Sequence, residues 1–265
     1  MGMPLFFIIW LFFLLFGMPI FFSLGLTSVI YLMSHHEILL SLPQRLTMTA
    51  NSFPLLAAPF FILMGNLMNT AGVTRRIFNF ANCLVGHIRG GLGHANVLAS
   101  MIFAGMSGAA VADAAGLGTI EIEAMKESGY DVDFAAAITA ASSTIGPIIP
   151  PSLPMIIYGV LANTSVGGLF IGGVIPGVLM GLSLMIYVYF YAHDKNYPRH
   201  PFPKFREFLR IFKEAFLSLL TPVILLGGIF SGVFTPTEAA AVAAFYALIL
   251  GFFYRELKLS DLPEI

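Results

Sequence analysis

The chain has 265 residues, of which 58% are hydrophobic and 10% charged, with a mean hydropathy of +0.88. This composition indicates a polytopic membrane protein and excludes a soluble domain with one apolar core. The net charge of −1 gives no electrostatic basis for binding nucleic acid, and the single cysteine, Cys83, excludes an internal disulfide framework and a cysteine-based zinc cluster.

The N-terminal part contains two predicted crossings and a polar connection. Residues 4–33 are predicted to form one long crossing, kinked around Gly17 and Pro19. This apolar run has no basic region before it and continues past any cleavage site, so we expect a retained helix and not a signal peptide. Residues 37–53 are more polar and are predicted to lie along an interface, and residues 54–72 form the second crossing.

Residues 73–89 combine basic and amide side chains with apolar ones, which is typical of a helix lying in the membrane surface. The polar members are Arg75, Arg76, Asn79, Asn82 and Arg89. The apolar members are Ile77, Phe78, Leu84 and Val85.

Two apolar limbs follow, residues 92–106 and 109–125, joined by a small-residue tip at residues 105–108. A bilayer core about 30 Å thick requires about 20 helical residues, and neither limb has an apolar run of that length. We therefore predict a re-entrant helical hairpin whose tip stops near the middle of the membrane. Charged residues near the end of the second limb are predicted to lie in water at the base of the hairpin: Glu121, Glu123, Lys126 and Glu127.

The next segment, residues 134–161, is long enough to cross but is interrupted at residues 142–147 and again at residues 150–152. Proline removes a backbone donor and clashes with the preceding turn, so carbonyl groups near the interruption lose their helical partners. Irregular backbone at membrane depth is tolerated inside protein or beside a watery cavity. Because ion-coupled transporters build midplane sites from interrupted helices, we predict such a site here.

Hard oxygen ligands suited to Na⁺ are concentrated at these two interruptions. At the tip they are the Ser107 hydroxyl and the carbonyl groups that end the first limb, where the helix dipole also favours a cation. Ser142, Thr144 and Gly146 offer similar groups at the interrupted helix. The structural alternative is that Gly and Ser only make a turn and Pro only a kink; the presence of both features in one stretch favours the site.

Asp113 follows the tip, and an acid inside a membrane segment is a functional candidate because it is expensive to place there. It lines the ion or substrate cavity, balances the site electrostatically, or is a first-turn acid favoured by the helix dipole, and these interpretations remain open. The other cavity candidates are Gly105, Met106, Ala109, Ser142, Ser143, Pro150, Pro151 and Ser152.

The last part of the chain is predicted to contain three crossings, residues 169–193, 215–233 and 238–253, with an amphipathic connector at residues 201–214. The first of these carries glycines four residues apart that let a neighbour approach closely: Gly173, Gly177 and Gly181. Thr235 as N-cap, Pro at the first helical position and Glu238 three residues later predict a capping box, which is favoured over a binding role.

Alternating crossings predict a sidedness. If residues 194–214 are cytoplasmic, residues 73–91, the base of the hairpin and residues 254–265 share that side. Of the 13 Lys and Arg residues, all but Arg45 then lie there. The positive-inside rule expects this bias, so we predict that the basic loops are cytoplasmic.

Catalytic motifs are nearly absent from the sequence. The six histidines are scattered without an HExxH motif, and Ser107 has no base nearby in the sequence and no GxSxG context. An intramembrane hydrolase is therefore the least favoured interpretation. The absence of a GxxxxGK[ST] loop argues against an ATPase.

The chain resembles the large membrane subunit (DctM type) of tripartite ATP-independent periplasmic, or TRAP, transporters. The matching stretches follow the family's order, and the last three are specific: FGMPIFFSLG, PLLAAPFFILMGNLMNTAG, AGMSGAAVADAAGLGTIEIEAMKESGYD, STIGPIIPPSLPMIIYG and GVFTPTEAAAVAAFYA. The resemblance implies an all-α, elevator-type permease of the ion transporter superfamily that is driven by Na⁺ and is not an enzyme.

The resemblance also implies a site and a set of partners. One Na⁺ would be bound where the tip meets the interrupted helix, by Ser107, Gly108, Thr144, Gly146 and Pro147, with the substrate close by and no organic cofactor. The substrate would be a small carboxylate such as a C4-dicarboxylate or a sialic-acid-like acid. The partners would be a periplasmic substrate-binding protein, a small four-helix membrane subunit and the lipid of the bacterial inner membrane.

In that family the chain divides into four parts. Residues 1–90 would be scaffold helices with an interfacial arm, residues 91–165 the transport element, residues 166–234 scaffold helices with the amphipathic connector, and residues 235–265 the start of a second, incomplete inverted repeat. Because family members carry a complete second half, we expect this chain to be either a fragment or one of two polypeptides that assemble with each other. The alternative function is a non-transporting scaffold or assembly subunit.

Overall fold

The structure, a computed structural model, describes residues 2–195, 197–198 and 201–264, and this part of the chain consists of helices and turns without β-strands. It divides into two units, Met1–Ser52 and Phe53–Ile265. Arg199, one of the basic residues behind the predicted sidedness, lies outside the described residues. The terminal residues of the predicted domain limits, Met1 and Ile265, also lie outside them.

The first unit contains α1 (Met3–Leu15), α2 (Ile20–Ser34) and α3 (Ser41–Ala50). The ring centroids of Phe6 and Tyr31 are 5.8 Å apart, so α1 and α2 lie side by side. The single kinked crossing predicted for residues 4–33 is therefore wrong. The chain reverses where Gly17 has a φ of +80°, a conformation that glycine adopts at no steric cost, and Pro19 cannot continue the preceding helix.

The second unit begins with a 3₁₀ turn (Phe53–Leu56) and ends with another (Leu259–Glu264). Its α-helices are α4 (Ala57–Thr70), α5 (Val73–Val85), α6 (Gly91–Ser107), α7 (Ala110–Glu127), α8 (Val132–Ser143), α9 (Leu153–Leu161), α10 (Val166–Lys195), α11 (Phe205–Phe230) and α12 (Pro236–Phe253). In the part of the chain that the structure describes, three segments are long and apolar enough to cross a membrane: Phe53–Thr70, Val166–Lys195 and Pro236–Phe253.

These helices pack mainly in two groups. In one group α4 packs against α12, and α11 packs against α5 and α12. In the other group α6, α7 and α8 pack around one another, and α10 packs against α6, α8 and α9. Helix α5 joins the groups because it also packs along α6.

The amphipathic connector and the crossing after it are one continuous helix, α11, and not two elements as predicted. Residues 213–216 between them contain neither Gly nor Pro, so nothing in the sequence stops the helix there. Aromatic side chains near the start of α11 pack on α5: the ring of Phe80 lies 6.5 Å from that of Phe208 and 5.9 Å from that of Phe212.

Helix α12 begins with the capping box that the sequence indicates. The Thr235 hydroxyl accepts a hydrogen bond from the Glu238 backbone N–H at 3.3 Å, and the Glu238 carboxylate accepts one from the Thr235 N–H at 2.8 Å. Pro236 occupies the first helical position, where its missing N–H costs no helical hydrogen bond. The Thr237 hydroxyl donates to the carbonyl of Phe53 at 2.9 Å and so ties the start of α12 to the segment before α4.

Candidate ion and substrate site

Helices α6 and α7 form a helical hairpin. Gly108 ends α6 with a φ of +61°, a left-handed conformation suited to glycine, and Ala109 is extended before α7 begins. The far ends of the limbs also meet, since the Leu92 N–H donates to the Tyr130 hydroxyl at 3.4 Å. The tip therefore consists of Gly108 and Ala109, and α6 continues through Ser107, beyond the predicted start of the tip. At 1.5 Å per residue each limb is about 25 Å long, less than a bilayer core of about 30 Å.

The predicted interruption after α8 is present at residues 144–152, which we call the break. Helix α8 ends at Ser143, and α9 does not begin until Leu153. Ser152 organises this segment: its hydroxyl donates to the Pro147 carbonyl at 2.5 Å and accepts from the Met155 N–H at 3.2 Å as the N-cap of α9.

The tip and the break are in direct backbone contact. The Leu153 N–H donates to the Gly108 carbonyl at 3.3 Å. A Cβ atom on Gly108 would lie 2.4 Å from the Pro151 carbonyl oxygen, and one on Gly146 would lie 3.3 Å from the carbonyl carbon of Ala109. The two interrupted elements meet because glycines at these positions let backbone approach backbone.

Helix α10 packs against the break through the glycine stripe. A Cβ atom on Gly173 would lie 2.3 Å from the Ile148 carbonyl oxygen, and one on Gly177 would lie 2.3 Å from Cγ1 of Ile149. Gly181 meets α6 in the same way. The close approach predicted from the spacing is therefore confirmed, and its main partner is the break.

The predicted ion ligands differ in which of their oxygen atoms remain free to bind a cation. The Ser107 hydroxyl is buried and has no hydrogen-bond partner among the described residues. Thr144 is exposed, and its hydroxyl donates to the Ala141 carbonyl at 2.6 Å, so its oxygen lone pairs and its backbone carbonyl remain available to a cation. The carbonyl groups of Gly108 and Pro147 each accept one hydrogen bond and retain a second lone pair.

The predicted cavity residues surround these two elements but do not share one environment. Gly105 and Met106 are buried on α6, and a Cβ atom on Gly105 would lie 3.2 Å from Cβ of Pro222 on α11. Ala109 is half-buried at the tip. The residues of the break are buried as well: Pro150, Pro151 and Ser152.

A buried polar network links α6 to α8 behind the tip. Asn96 Nδ2 donates to Thr139 Oγ1 at 2.7 Å, and the Ser142 hydroxyl donates to Asn96 Oδ1 at 2.8 Å. The Ser100 hydroxyl in turn donates to Ser142 Oγ at 3.1 Å. Of these residues only Ser142 was predicted from the sequence. Asn96 and Ser100 lie one turn apart, so their shared helix face was a readable signal.

Two acids of α7 are buried beside this network. Asp113 is 1% exposed and Glu121 is 0% exposed, and neither carboxylate accepts a hydrogen bond from the described residues. The prediction that Glu121 lies in water at the base of the hairpin is therefore wrong. Glu121 falls on the same helix face as Leu117 and Met125, one turn away on either side, which are also buried. The other charged residues of the second limb are exposed as predicted: Glu123, Lys126 and Glu127.

The base of the hairpin is joined to the end of α10 by side chains. The rings of Tyr130 and Tyr197 stack with centroids 4.1 Å apart, and those of Phe134 and Tyr191 with centroids 4.4 Å apart. Asp131 Oδ2 accepts from the Tyr197 hydroxyl at 2.9 Å and lies 3.1 Å from Lys195 Nζ. The contact with Lys195, and to a smaller extent the hydrogen bond from Tyr197, lowers the pKa of Asp131 below its ordinary value.

An apolar helical chain with a hairpin tip against a break in the next helix belongs to the class of membrane transport proteins built from interrupted helices. A family model described as "Tripartite ATP-independent periplasmic transporter, DctM component" matches residues 7–265. The chain therefore belongs to the DctM family, and the predicted family and non-enzymatic character are confirmed. The family and the apolar helices indicate a protein of the bacterial inner membrane.

Similar proteins are permease proteins of this family. The chain is 52% identical over 258 residues to the sialic acid TRAP transporter large permease protein SiaM of Vibrio cholerae, covering 97% of the chain and 60% of that relative. It is 50% identical to the sialic acid permease protein SiaT of Haemophilus influenzae, covering 96% of the chain and 42% of that relative. It is 46% identical to the C4-dicarboxylate permease protein DctM of V. cholerae, covering 97% and 57%. The chain thus spans about half the length of these relatives.

Proposed function

We propose that the chain forms part of the large permease subunit of a TRAP transporter that takes up small organic acids with Na⁺. The observation that carries this proposal is the backbone contact between the tip and the break, at the Leu153 N–H and the Gly108 carbonyl. Such a contact leaves peptide oxygens with a free lone pair inside an apolar protein, and a small cation can bind these oxygens where water would otherwise do so. The names of the relatives support a C4-dicarboxylate or a sialic-acid-like substrate.

The coupling Na⁺ is bound at the tip. The buried Ser107 hydroxyl, which has no partner among the described residues, supplies one oxygen ligand. The free lone pairs on the carbonyl groups of Gly108 and Pro147 supply two more, and Gly146, which lies against the backbone of Ala109, and Thr144 contribute from the break. The C-terminal end of α6 adds the negative end of its dipole.

The substrate binds next to this ion, against the cavity candidates of the tip and the break. Its negative charge favours the neighbouring Na⁺, which couples the two binding steps. Residues 92–161 contain no Arg, so a guanidinium partner for a carboxylate comes from outside this stretch. A complementary C-terminal half or the substrate-binding protein is its source.

Transport proceeds by an elevator movement of one helix group against the other. The hairpin is re-entrant, and it moves with α8 and α9 past α4, α5, α11 and α12. The contacts of α10 with α6, α8 and α9 support assigning α10 to the moving group, although residues 166–234 were predicted to be scaffold. Helix α5 and the first part of α11 brace the scaffold by packing on each other.

The chain functions in the inner membrane with its basic loops in the cytoplasm. Its partners are a periplasmic substrate-binding protein, a small four-helix membrane subunit and the second half that longer relatives contain. The distribution of Lys and Arg along the sequence supports this orientation, because all of them except Arg45 fall on the predicted cytoplasmic side.

The test is solute uptake by the full permease in liposomes with its binding protein and small subunit. An inward Na⁺ gradient should drive accumulation, and Ser107→Ala should raise the Na⁺ concentration for half-maximal uptake by about tenfold or more. Ser183→Ala is the matched control, because that exposed hydroxyl only donates to Met180 within α10. Uptake that survives collapse of the Na⁺ gradient and requires ATP would exclude the proposal.

A further inference from the structure

A polar cavity of about 380 Å³ lies at the C-terminal end of α4, away from the tip and the break. Residues of α4, α5, α7, α11 and the turn that follows α12 line it. Four of the lining residues are charged, two of each sign: Arg75, Arg76, Glu214 and Glu256. The volume falls within the range of small-molecule sites, so a ligand that carries charges of both signs can fit.

Two of these four charges are already paired with each other. Arg76 Nη2 lies 3.7 Å from Glu256 Oε1, and Arg76 Nη1 donates to the Gly72 carbonyl at 2.8 Å. The Arg76 guanidinium also lies 3.8 Å from the centre of the Tyr254 ring. Arg75 and Glu214, in contrast, form no ion pair with any described residue. The cavity therefore offers one free positive and one free negative charge, which suits a zwitterion.

The cavity lies at the level where membrane-spanning helices end. The candidate spans Phe53–Thr70 and Pro236–Phe253 both end beside it, since Thr70 lines the cavity and Glu256 follows the second span within one turn. Helix α5, which forms another wall, has a buried apolar face and an exposed polar face, which is typical of a helix in the membrane surface. The charged groups of the cavity are therefore at the depth of lipid headgroups.

An apolar groove of about 270 Å³ between α4 and α12 adjoins the cavity on the side of the membrane core. Phe60, Leu63 and Leu67 form its wall on α4. Thr70, which lines the polar cavity, continues the same helix face at spacings of three and four residues. A single face of α4 thus passes from an apolar groove to a polar cavity, as the two parts of a phospholipid require.

We propose that the cavity binds the headgroup of a phospholipid of the phosphatidylethanolamine type, with an acyl chain in the apolar groove. The phosphate accepts hydrogen bonds from the Arg75 guanidinium and the Asn79 amide, and the primary ammonium group donates to the Glu214 carboxylate. A choline headgroup has no N–H to donate, and the Tyr254 ring that could attract it is covered by Arg76. A glycerol headgroup has no positive charge to balance Glu214.

The test is equilibrium binding of added phospholipid to the purified full permease in detergent, measured by native mass spectrometry. Such binding does not depend on the proposed transport, so either proposal can fail without the other. The wild type should bind dioleoyl phosphatidylethanolamine about tenfold more tightly than dioleoyl phosphatidylcholine or phosphatidylglycerol. Glu214→Gln should bind the ethanolamine and choline lipids equally, whereas Arg75→Gln should weaken both by about tenfold.

Glu127→Gln and Arg206→Gln are the matched controls, because each removes an exposed charge of the same sign from outside the cavity. Both should keep the affinity and the headgroup preference of the wild type. The proposal is wrong if the wild type binds ethanolamine and choline lipids equally, or if the control variants lose as much affinity as the cavity variants.

Glycerophosphoethanolamine carries the same headgroup without acyl chains and distinguishes a lipid from a soluble ligand. At a concentration equal to that of the lipid it should not compete, because it cannot fill the apolar groove. If it displaces the lipid at that concentration, the ligand is a soluble phosphate ester and the assignment to a phospholipid is wrong.

Discussion

The tip and the base of the hairpin are held to their neighbours by different kinds of contact. At the tip, backbone meets backbone, and a Cβ atom on Gly108 would lie 2.4 Å from the Pro151 carbonyl oxygen. At the base, side chains make the contacts: Tyr130 stacks on Tyr197, and Asp131 pairs with Lys195 at 3.1 Å. The tip therefore depends on the absence of side chains, and the base on their presence.

This difference determines how each end tolerates change. A backbone carbonyl cannot rotate away from an added methyl group, so the tip either keeps its geometry or loses the contact with the break. An exposed ion pair contributes little and an aromatic pair contributes about 0.5–1.5 kcal/mol, so the base weakens in small steps. We expect substitutions at the two ends to differ in size accordingly.

The largest effect is expected for Gly108→Ala. The left-handed conformation of Gly108 costs an alanine about 1–2 kcal/mol, and the clash with the Pro151 carbonyl adds about 1–3 kcal/mol. The purified permease should lose roughly 3 kcal/mol of stability, measured by thermal unfolding in detergent.

Gly129→Ala separates the two terms of that cost. Gly129 lies at the base with a φ of +82°, but an added Cβ atom there has no neighbour within 4 Å. The Gly129→Ala variant should therefore be destabilised by the backbone strain alone. Its unfolding temperature should lie between those of the wild type and of Gly108→Ala. Equal losses for the two variants would show that the tip contact contributes nothing beyond the turn.

A smaller effect is expected where α10 meets the break. An alanine at Gly173 would place its Cβ atom 2.3 Å from the Ile148 carbonyl oxygen and should destabilise the protein by about 1–3 kcal/mol. Gly172→Ala is the control, since its added Cβ atom has no neighbour within 4 Å and alanine favours the helix by about 0.5–1 kcal/mol. Unfolding temperatures that fall equally for both variants would contradict the packing described for the glycine stripe.

The tip was predictable from the sequence because its determinants are local. Limb length, the glycine at the turn and the prolines of the break each constrain the backbone of their own segment. The glycine spacing on α10 also predicted a close approach, although it did not identify the break as the partner. The capping box of Thr235 and Glu238 was readable for the same reason, since every atom it needs lies within one turn.

The contacts that the sequence did not predict join segments far apart in the chain. The stack of Tyr130 on Tyr197 and the network from Asn96 to Thr139 depend on how α6, α8 and α10 are arranged, which no local pattern determines. Glu121 was misassigned because its charge suggested water, whereas its place on the face of Leu117 and Met125 indicated burial. The reversal at Gly17 was mistaken for a kink because a hairpin of two short apolar helices and one long helix have similar compositions.

The smallest expected effect is the pH dependence of the base. The pairing with Lys195 and Tyr197 lowers the pKa of Asp131, so its stabilisation is complete above the ordinary pKa of about 3.9 and is lost as the pH falls through the lower folded value. Asp131→Asn should therefore unfold at a slightly lower temperature than the wild type at neutral pH, and this difference should shrink below about pH 4 and vanish once the pH is below the lowered pKa. Asp133→Asn, a change in a neighbouring exposed acid, is the control for the loss of one negative charge. If Asp131→Asn unfolds at the wild-type temperature at neutral pH, the base is held by ring stacking and not by the ion pair.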